Sequence, residues 1–209
     1  MDSYLIPHGY GEDEFVERHS RFIGRVWFTE TEEEALLHIK EMRSKHWDAN
    51  HNVYAYAIRN GGIMRYSDDG EPQGTSGMPV LNVFRMNGIT NFCCVVTRYF
   101  GGILLGAGGL VRAYSHTAKI ALDAAGISEV RLWKTIVMSC TYGQYEKLRG
   151  ESEAAGAIVT DVDYGVDVML TLLLPEEAAE GFIARIVDIT AGTVLPEIMG
   201  EEFRAVRMK

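Results

Sequence analysis

A chain of 209 residues, 47% hydrophobic and 23% charged, has the composition of a soluble globular protein with room for one large domain or two modest ones. No apolar run approaches the roughly 18 residues of a membrane span, and the N-terminal MDSYLIPHGYGEDEF has neither the basic nor the apolar region of a secretory signal, so a cytoplasmic protein is expected. The formal net charge of −9 argues against a protein that coats nucleic acid with its whole surface.

The expected elements run as follows. RFIGRVWF (21–28) reads as a strand. TETEEEALLHIKEMRSKHW reads as a helix capped by Thr29 or Thr31, with glutamates in its first turn and Ala35, Leu36, Ile39 and Met42 at helical spacing. HNVYAYAIR (51–59) is a strand, joined through an Asn60-Gly61-Gly62 hairpin turn to IMRYS. SDDGEPQGTSG is loop by composition, after which Pro79 sits in the first turn of a short helix. NFCCVVTRYF (91–100) is an apolar strand that places Phe92, Cys94, Val96 and Arg98 on one face. Neighbouring Cys93 and Cys94 therefore face opposite ways, as small buried hydrophobes rather than a redox or metal pair. A helix follows from Gly108 to Ala125, with Leu110, Tyr114, Ala118, Ala121 and Ala125 on one stripe and Arg112, His116 and Lys119 on another.

Beyond Trp133 the order is strand (IVMSCTY), helix, strand, strand, helix, strand (TVLPEIM), the βαββαβ pattern of a ferredoxin-like domain. Residues 135–209 hold 13 acids and 6 bases, net −7, whereas residues 1–134 hold 16 and 14, net −2. An α+β protein of two domains, 1–134 and 135–209, joined by a short linker, is the expected architecture.

Three stretches carry candidate chemistry. GGILLGAGG puts five glycines into Gly101–Gly109 between Arg98 and Arg112. A helix start at Gly108-Gly109 would offer free N–H groups and a positive dipole end to an anion, and both arginines could add bidentate contacts. The G-K-[ST] of a P-loop is missing, and no suitably spaced acid follows to hold a ribose apart from Asp123 within the helix, so a nucleotide site is not expected and a nucleotide-hydrolysing loop is excluded. An anion or RNA-phosphate contact and a purely structural tight turn both stay open. Between Pro72 and Lys119 there is no Asp or Glu at all, where an even spread of the 29 acids would place roughly seven. Asp68, Asp69 and Glu71 form the second candidate; a solvated turn or a structural salt bridge with Arg98 or Arg112 is the plainer reading, weak metal binding the sharper one. His46, His51 and His116 are the third, and they show no metal spacing; no nucleophile elbow or H-E-x-x-H motif accompanies them.

RYFGGILLGAGGLVRAY, SDDGEPQGTSGMPVL and SRFIG (20–24) resemble the YigZ/IMPACT family, in its bacterial two-domain form. The resemblance runs over nearly the whole chain. It implies an N-terminal domain like the second domain of a small-subunit ribosomal protein and domain IV of elongation factor G, and a C-terminal ferredoxin-like domain. It also implies a link to translation: eukaryotic relatives regulate it through the activator of an initiation-factor kinase, and bacterial relatives are thought to bind nucleic acid or the ribosome. The family's motif positions are Ser67, Asp68, Asp69, Gly70, Glu71, Pro72, Gly74, Arg98, Gly101, Gly102, Gly106, Gly109 and Arg112, with no agreed catalytic role for any.

The expectation is a non-enzymatic translation-associated regulatory protein, without cofactor or metal, that binds RNA, the ribosome or a translation-factor partner. Arg98, Gly101, Gly102, Gly108, Gly109, Arg112, His116 and Lys119 would form the nucleic-acid or anion face. The alternatives are a metal-dependent small-molecule or phosphoester enzyme using Asp68, Asp69 and Glu71, and a protein–protein docking module.

Overall fold

The structure is a computed structural model that describes residues 3–208. Its strands and helices are β1 (Tyr4–Pro7), β2 (Gly11–Glu17), β3 (Ser20–Phe28), α1 (Glu32–Lys45), β4 (His51–Ile58), β5 (Ile63–Ser67), α2 (Gly77–Met86), β6 (Phe92–Tyr99), α3 (Gly106–Ala125), β7 (Ile127–Cys140), α4 (Tyr142–Ala154), β8 (Ile158–Tyr164), β9 (Val168–Pro175), α5 (Glu176–Ile189) and β10 (Glu197–Arg207). The described residues divide into two compact units, one of Tyr4–Glu129 with residues 205–208 and one that includes Val130–Arg204. The division falls inside β7. Residue 134, where the sequence reading puts a linker, is the middle of that continuous strand.

In the first unit an antiparallel sheet has the order β2-β3-β6-β4-β5. Strand β6 is central, and its unbroken apolar run follows from burial on both faces. Phe92, Cys94 and Val96 enter a core shared with α2 and α3. Cys93 and Val95 enter a second core under α1, beside Ala35, Ile39 and Met42. Both cysteines are free and buried, and burial pushes their thiols up. Helix α1 starts as expected at Thr31, whose side chain accepts from Glu34 N–H while the Glu34 carboxylate accepts from Thr31 N–H.

The hairpin β2–β3 is absent from the sequence reading. GEDEFVE looks like solvated loop, and its two-residue turn is Arg18-His19 (φ 45° and 66°), where the usual signal would be Asn-Gly. Helix α3 also begins two residues earlier than expected, at Gly106. Its stripe of Leu110, Tyr114, Ala118, Ala121 and Ala125 is buried.

In the second unit β9 lies between β7 and β8, antiparallel to both, and β10 also pairs with β7. Helices α4 and α5 contribute Leu148, Ala179, Phe182 and Ile186 to a core with Ile136, Met138, Leu170 and Leu172. The last strand lies beyond most of the expected TVLPEIM, because 190–196 forms turn and coil.

Candidate functional site

The three motif-bearing stretches meet at one buried cluster. Arg98, at the end of β6, is 5% exposed and donates from Nη1 to Glu71 Oε1 at 2.6 Å. Tyr114, from the buried stripe of α3, donates its hydroxyl to the same oxygen at 2.7 Å. Burial, reinforced by the Glu71 charge, pushes the Tyr114 phenol up, so it stays a donor. Ser20 Oγ accepts from the Gly101 N–H at 3.1 Å and lies 3.4 Å from Arg98 Nη2. The guanidinium also packs over the rings of Phe22 and Phe100, at 5.3 and 5.4 Å. His51 borders this cluster. Its Nδ1 is 2.8 Å from the Asp69 carbonyl, so Nδ1 donates, and Nε2 lies 3.8 Å from Glu71 Oε1.

Arg98 is thus no surface phosphate ligand. It is the buried partner of Glu71, and the charge that the strand alternation placed at the end of an apolar row is neutralised by a loop 27 residues upstream. The three carboxylates of that loop do not converge on a cation. Asp68 accepts from the N–H groups of Gly74, Ser76 and Gly77 and from Ser76 Oγ, which satisfies the start of α2. Asp69 accepts from Arg43 and from Asn52 N–H, both at 2.7 Å. Among the described residues no group of three His, Cys, Asp or Glu side chains is placed to hold a metal ion.

Burial raises the Asp68 carboxyl, but its hydrogen bonds from Gly74, Ser76 and Gly77 outweigh this and hold it below its ordinary value. Asp68→Ala should therefore cost about 1–3 kcal/mol, the sum of a lost cap and orphaned donors. The folded value is the depressed one, so the contribution is complete above about pH 4 and fades as pH falls through the folded value. Urea titrations of wild type and variant should converge in acid; a gap that stays constant down to pH 2 would refute the assignment.

The glycines of Gly101–Gly109 divide by role. A Cβ on Gly101 would lie 2.0 Å from the His19 carbonyl carbon, so this position needs the close approach. Gly102 and Gly106 have φ of 85° and 71°, the left-handed region. Gly108 has ordinary helical backbone, and a Cβ there would meet only Arg112 Nη1 at 3.6 Å. Gly108→Ala should stabilise the protein by about 0.5–1 kcal/mol through helix propensity. Thermal unfolding checks this, and a lower Tm would contradict it.

Helix α3 has no side-chain cap and no acid in its first turn. The first-turn N–H groups from Gly106 onward thus have no intrahelical partner. Loop and helix start are flanked by exposed Ile103 and Leu104, and by exposed Arg112 and His116 on α3. Lys119, the last of the expected basic track, is paired with Asp123 one turn on. The sequence reading did not include Arg18, which lies in the β2–β3 turn and reaches the Leu104 carbonyl at 3.4 Å. It also missed Ser20 and Tyr114 as polar partners; the signal available for both was membership of the quoted motif stretches. Two cavities border the loop. One of about 420 Å3 is lined by Glu71, Arg98, Phe100, Leu104, Gly106 and Ala107 among others. The other, of about 290 Å3, includes Phe15, Arg18, Gly109, Arg112 and His116.

Residues 18–122, which contain Ser20, Glu71, Arg98, the glycine loop and Tyr114, match the Impact N-terminal domain. The chain belongs to the IMPACT family. Residues 138–193 of this IMPACT-family chain match a domain of unknown function, DUF1949. The chain is similar to the IMPACT family member YvyE of Bacillus subtilis, 36% identical over 92% of this chain and 89% of that one. It is likewise similar to the IMPACT family member YigZ of Escherichia coli, 34% identical over 93% and 97%. A eukaryotic relative, the Protein IMPACT homolog of Dictyostelium discoideum, is 33% identical over 56% of this chain and 34% of its own length. A crystal structure described as that of an hypothetical protein is 30% identical, covers 96% of this chain and 98% of its own, and superposes with a TM-score of 0.59. No helix among the described residues is long and apolar enough to cross a membrane.

Proposed function

We propose that this chain is a translation-associated regulatory protein that contacts RNA through the glycine-loop face of its Impact domain. The observation that carries the reading is the uncapped start of α3. Its free N–H groups and positive dipole end stand beside exposed Arg112 and Arg18, with no acid in the first turn. The stretch from Pro72 to Lys119 itself contributes no acid to this face, although Glu17 of the neighbouring hairpin lies 3.9 Å from Arg18 and lines the same cavity. Arg98 acts here as a positioning residue that holds the loop to Ser20 and Glu71. Phosphate contact falls to Arg18, Arg112, His116 and the Gly106–Gly109 backbone. The family and its eukaryotic IMPACT relatives support the regulatory side of the reading.

The same proposal extends to the folds. The strand order of the second unit, with β9 inserted between β7 and β8 and β10 on the far side of β7, supports a ferredoxin-like domain. A first domain of the kind found in a small-subunit ribosomal protein and in elongation factor G fits an association with ribosomal RNA.

Binding of the full chain to ribosomes and to short single-stranded RNA across a salt series tests this. The logarithm of affinity should fall linearly with that of salt, and Arg112→Glu and Arg18→Glu should each reduce the slope by about one. Wild-type protein that binds neither target, or variants that bind both with an unchanged slope, would sink the proposal.

A further inference from the structure

We propose that the free edge of β5 receives an extended, acidic segment of a partner protein, which seats one large apolar side chain in the cavity between β5 and the end of α2. The sheet of the first unit ends at β5, so the backbone groups on its outer side have no strand partner. Edge strands are commonly blunted by charge. Here Met64 and Tyr66, on the face that α2 covers, are both exposed, and methionine adapts to varied partners. The cavity opens beside them. Its volume of about 210 Å3 lies below the roughly 300–1,000 Å3 of small-molecule sites and suits a single side chain. Buried Ala57, Leu81, Ile89 and Phe92 line its inner part, and exposed Met64, Arg59 and Arg85 line its mouth.

The register makes edge and cavity one site. Met64 pairs with Ala57 and shares its face of the sheet, and both line the cavity. A strand added to β5 places the residue opposite Met64 on that same face, and the residues two positions away beside it. The charge at the mouth selects the partner. Arg59 is held over the Tyr4 ring at 4.1 Å, an attraction that uses no N–H group. Arg85 stands in the last turn of α2. The ion pairs of this unit use other cations, so neither arginine has an acid partner among the described residues. Every residue lining the cavity comes from 57–64 or 81–92, inside two stretches, 49–67 and 73–122, that hold no Asp or Glu. Glu32 belongs to the opposite face, where it accepts from the Tyr56 hydroxyl under α1. Acids flanking the apolar anchor complement this mouth. An RNA strand would meet the arginines, but it offers no alternating N–H and C=O groups to the β5 edge.

The inference does not rest on the RNA reading, since no residue of this cavity belongs to the glycine loop or to α3. The test uses the full chain with labelled leucine, isoleucine and methionine methyls. It is titrated with synthetic threonine-rich peptides that carry leucine, methionine, phenylalanine or tryptophan at the centre and an aspartate two residues to either side. Control peptides have alanine at the centre, or asparagine in place of each aspartate, and a short single-stranded RNA is titrated in parallel. At least one apolar-centred peptide should bind about tenfold tighter than the alanine control and about tenfold tighter than its asparagine form. Bound peptide should shift the methyl signals of Met64, Leu81 and Ile89 and slow amide hydrogen exchange in β5. The double variant Arg59→Glu/Arg85→Glu, at two exposed positions, should hold Tm and weaken peptide binding by at least about tenfold, while RNA binding stays at the wild-type value.

Absence of binding by every peptide at millimolar concentration overturns the inference. So does equal binding of alanine-centred and apolar-centred peptides, which would reduce the face to a charge contact. Methyl shifts without slower exchange in β5 overturn strand addition. RNA binding that the double variant abolishes, with no peptide bound, would make the face a nucleic-acid surface in place of a protein one. Concentration-dependent dimerisation that shifts the same methyls without peptide would make the occupant a second copy of this chain, and would equally sink the proposal.

Discussion

Glu71→Ala is expected to destabilise the first unit by about 3–5 kcal/mol, the largest loss of any single truncation at this site. The variant strands the Arg98 guanidinium, whose side chain is 6% exposed, without its counter-charge. It also removes the acceptor of the fully buried Tyr114 hydroxyl, a further orphaned donor. Cation–π contacts to Phe22 and Phe100 remain, but they cannot replace a carboxylate at 2.6 Å. Glu71→Gln keeps an acceptor and should lose less. The paired variant Glu71→Leu/Arg98→Met should recover most of the loss, because the penalty lies in the unpaired charge rather than in the absence of an ion pair. Urea unfolding of the four proteins decides the matter. A loss below about 1 kcal/mol in Glu71→Ala would mean that water solvates Arg98, and would remove the basis for treating it as the anchor of the loop.

Gly101→Ala should be almost as damaging, at more than about 3 kcal/mol, or should prevent accumulation of folded protein. The new methyl would stand 2.0 to 2.4 Å from backbone atoms of His19 and Ser20. Neither side can retreat. Residue 101 follows β6, which pairs Tyr99 with Arg21 and Arg98 with Phe22, and His19 occupies a two-residue turn with positive φ. Gly102→Ala provides the contrast: no atom lies within 4 Å of its Cβ, so only the left-handed backbone opposes it, at about 1 kcal/mol. With Gly108→Ala stabilising, three neighbouring glycines should give a large loss, a small loss and a gain. Thermal unfolding of the three would expose the opposite ranking if the loop packed otherwise.

These effects matter for function because the loop has no regular structure of its own between Tyr99 and Gly106. Its shape is set by the Gly101 approach to the β2–β3 turn and by the Arg98–Glu71–Tyr114 cluster beneath it. That shape leaves the N–H groups of α3 uncapped and the side chains of Ile103 and Leu104 in solvent. A capped helix with polar loop residues would be more stable, so the exposed apolar side chains and free donors fit a surface kept for a ligand.

Much of the fold was legible in the amino-acid order. Thr31 with Glu34, the 2-residue alternation of 92–98 and the stripe from Leu110 to Ala125 each express a rule that acts within a few residues. The βαββαβ order after Trp133 was legible for the same reason. Hairpin β2–β3 was not, because charged side chains occupy an edge strand and its turn uses Arg18 and His19 in place of glycine. At the site, the sequence by itself determined which stretches carry the chemistry and that the region from Pro72 to Lys119 is free of acids. It could not determine that Arg98 is buried, since its partner arrives from a loop that crosses the sheet only once the strand order β2-β3-β6-β4-β5 is formed. Tertiary structure alone decided that Ser20, Glu71, Arg98 and Tyr114 share one cluster and that the three carboxylates part. Local order fixes periodicity and caps; which charges lose water, and against whom, depends on contacts between residues up to 86 positions apart.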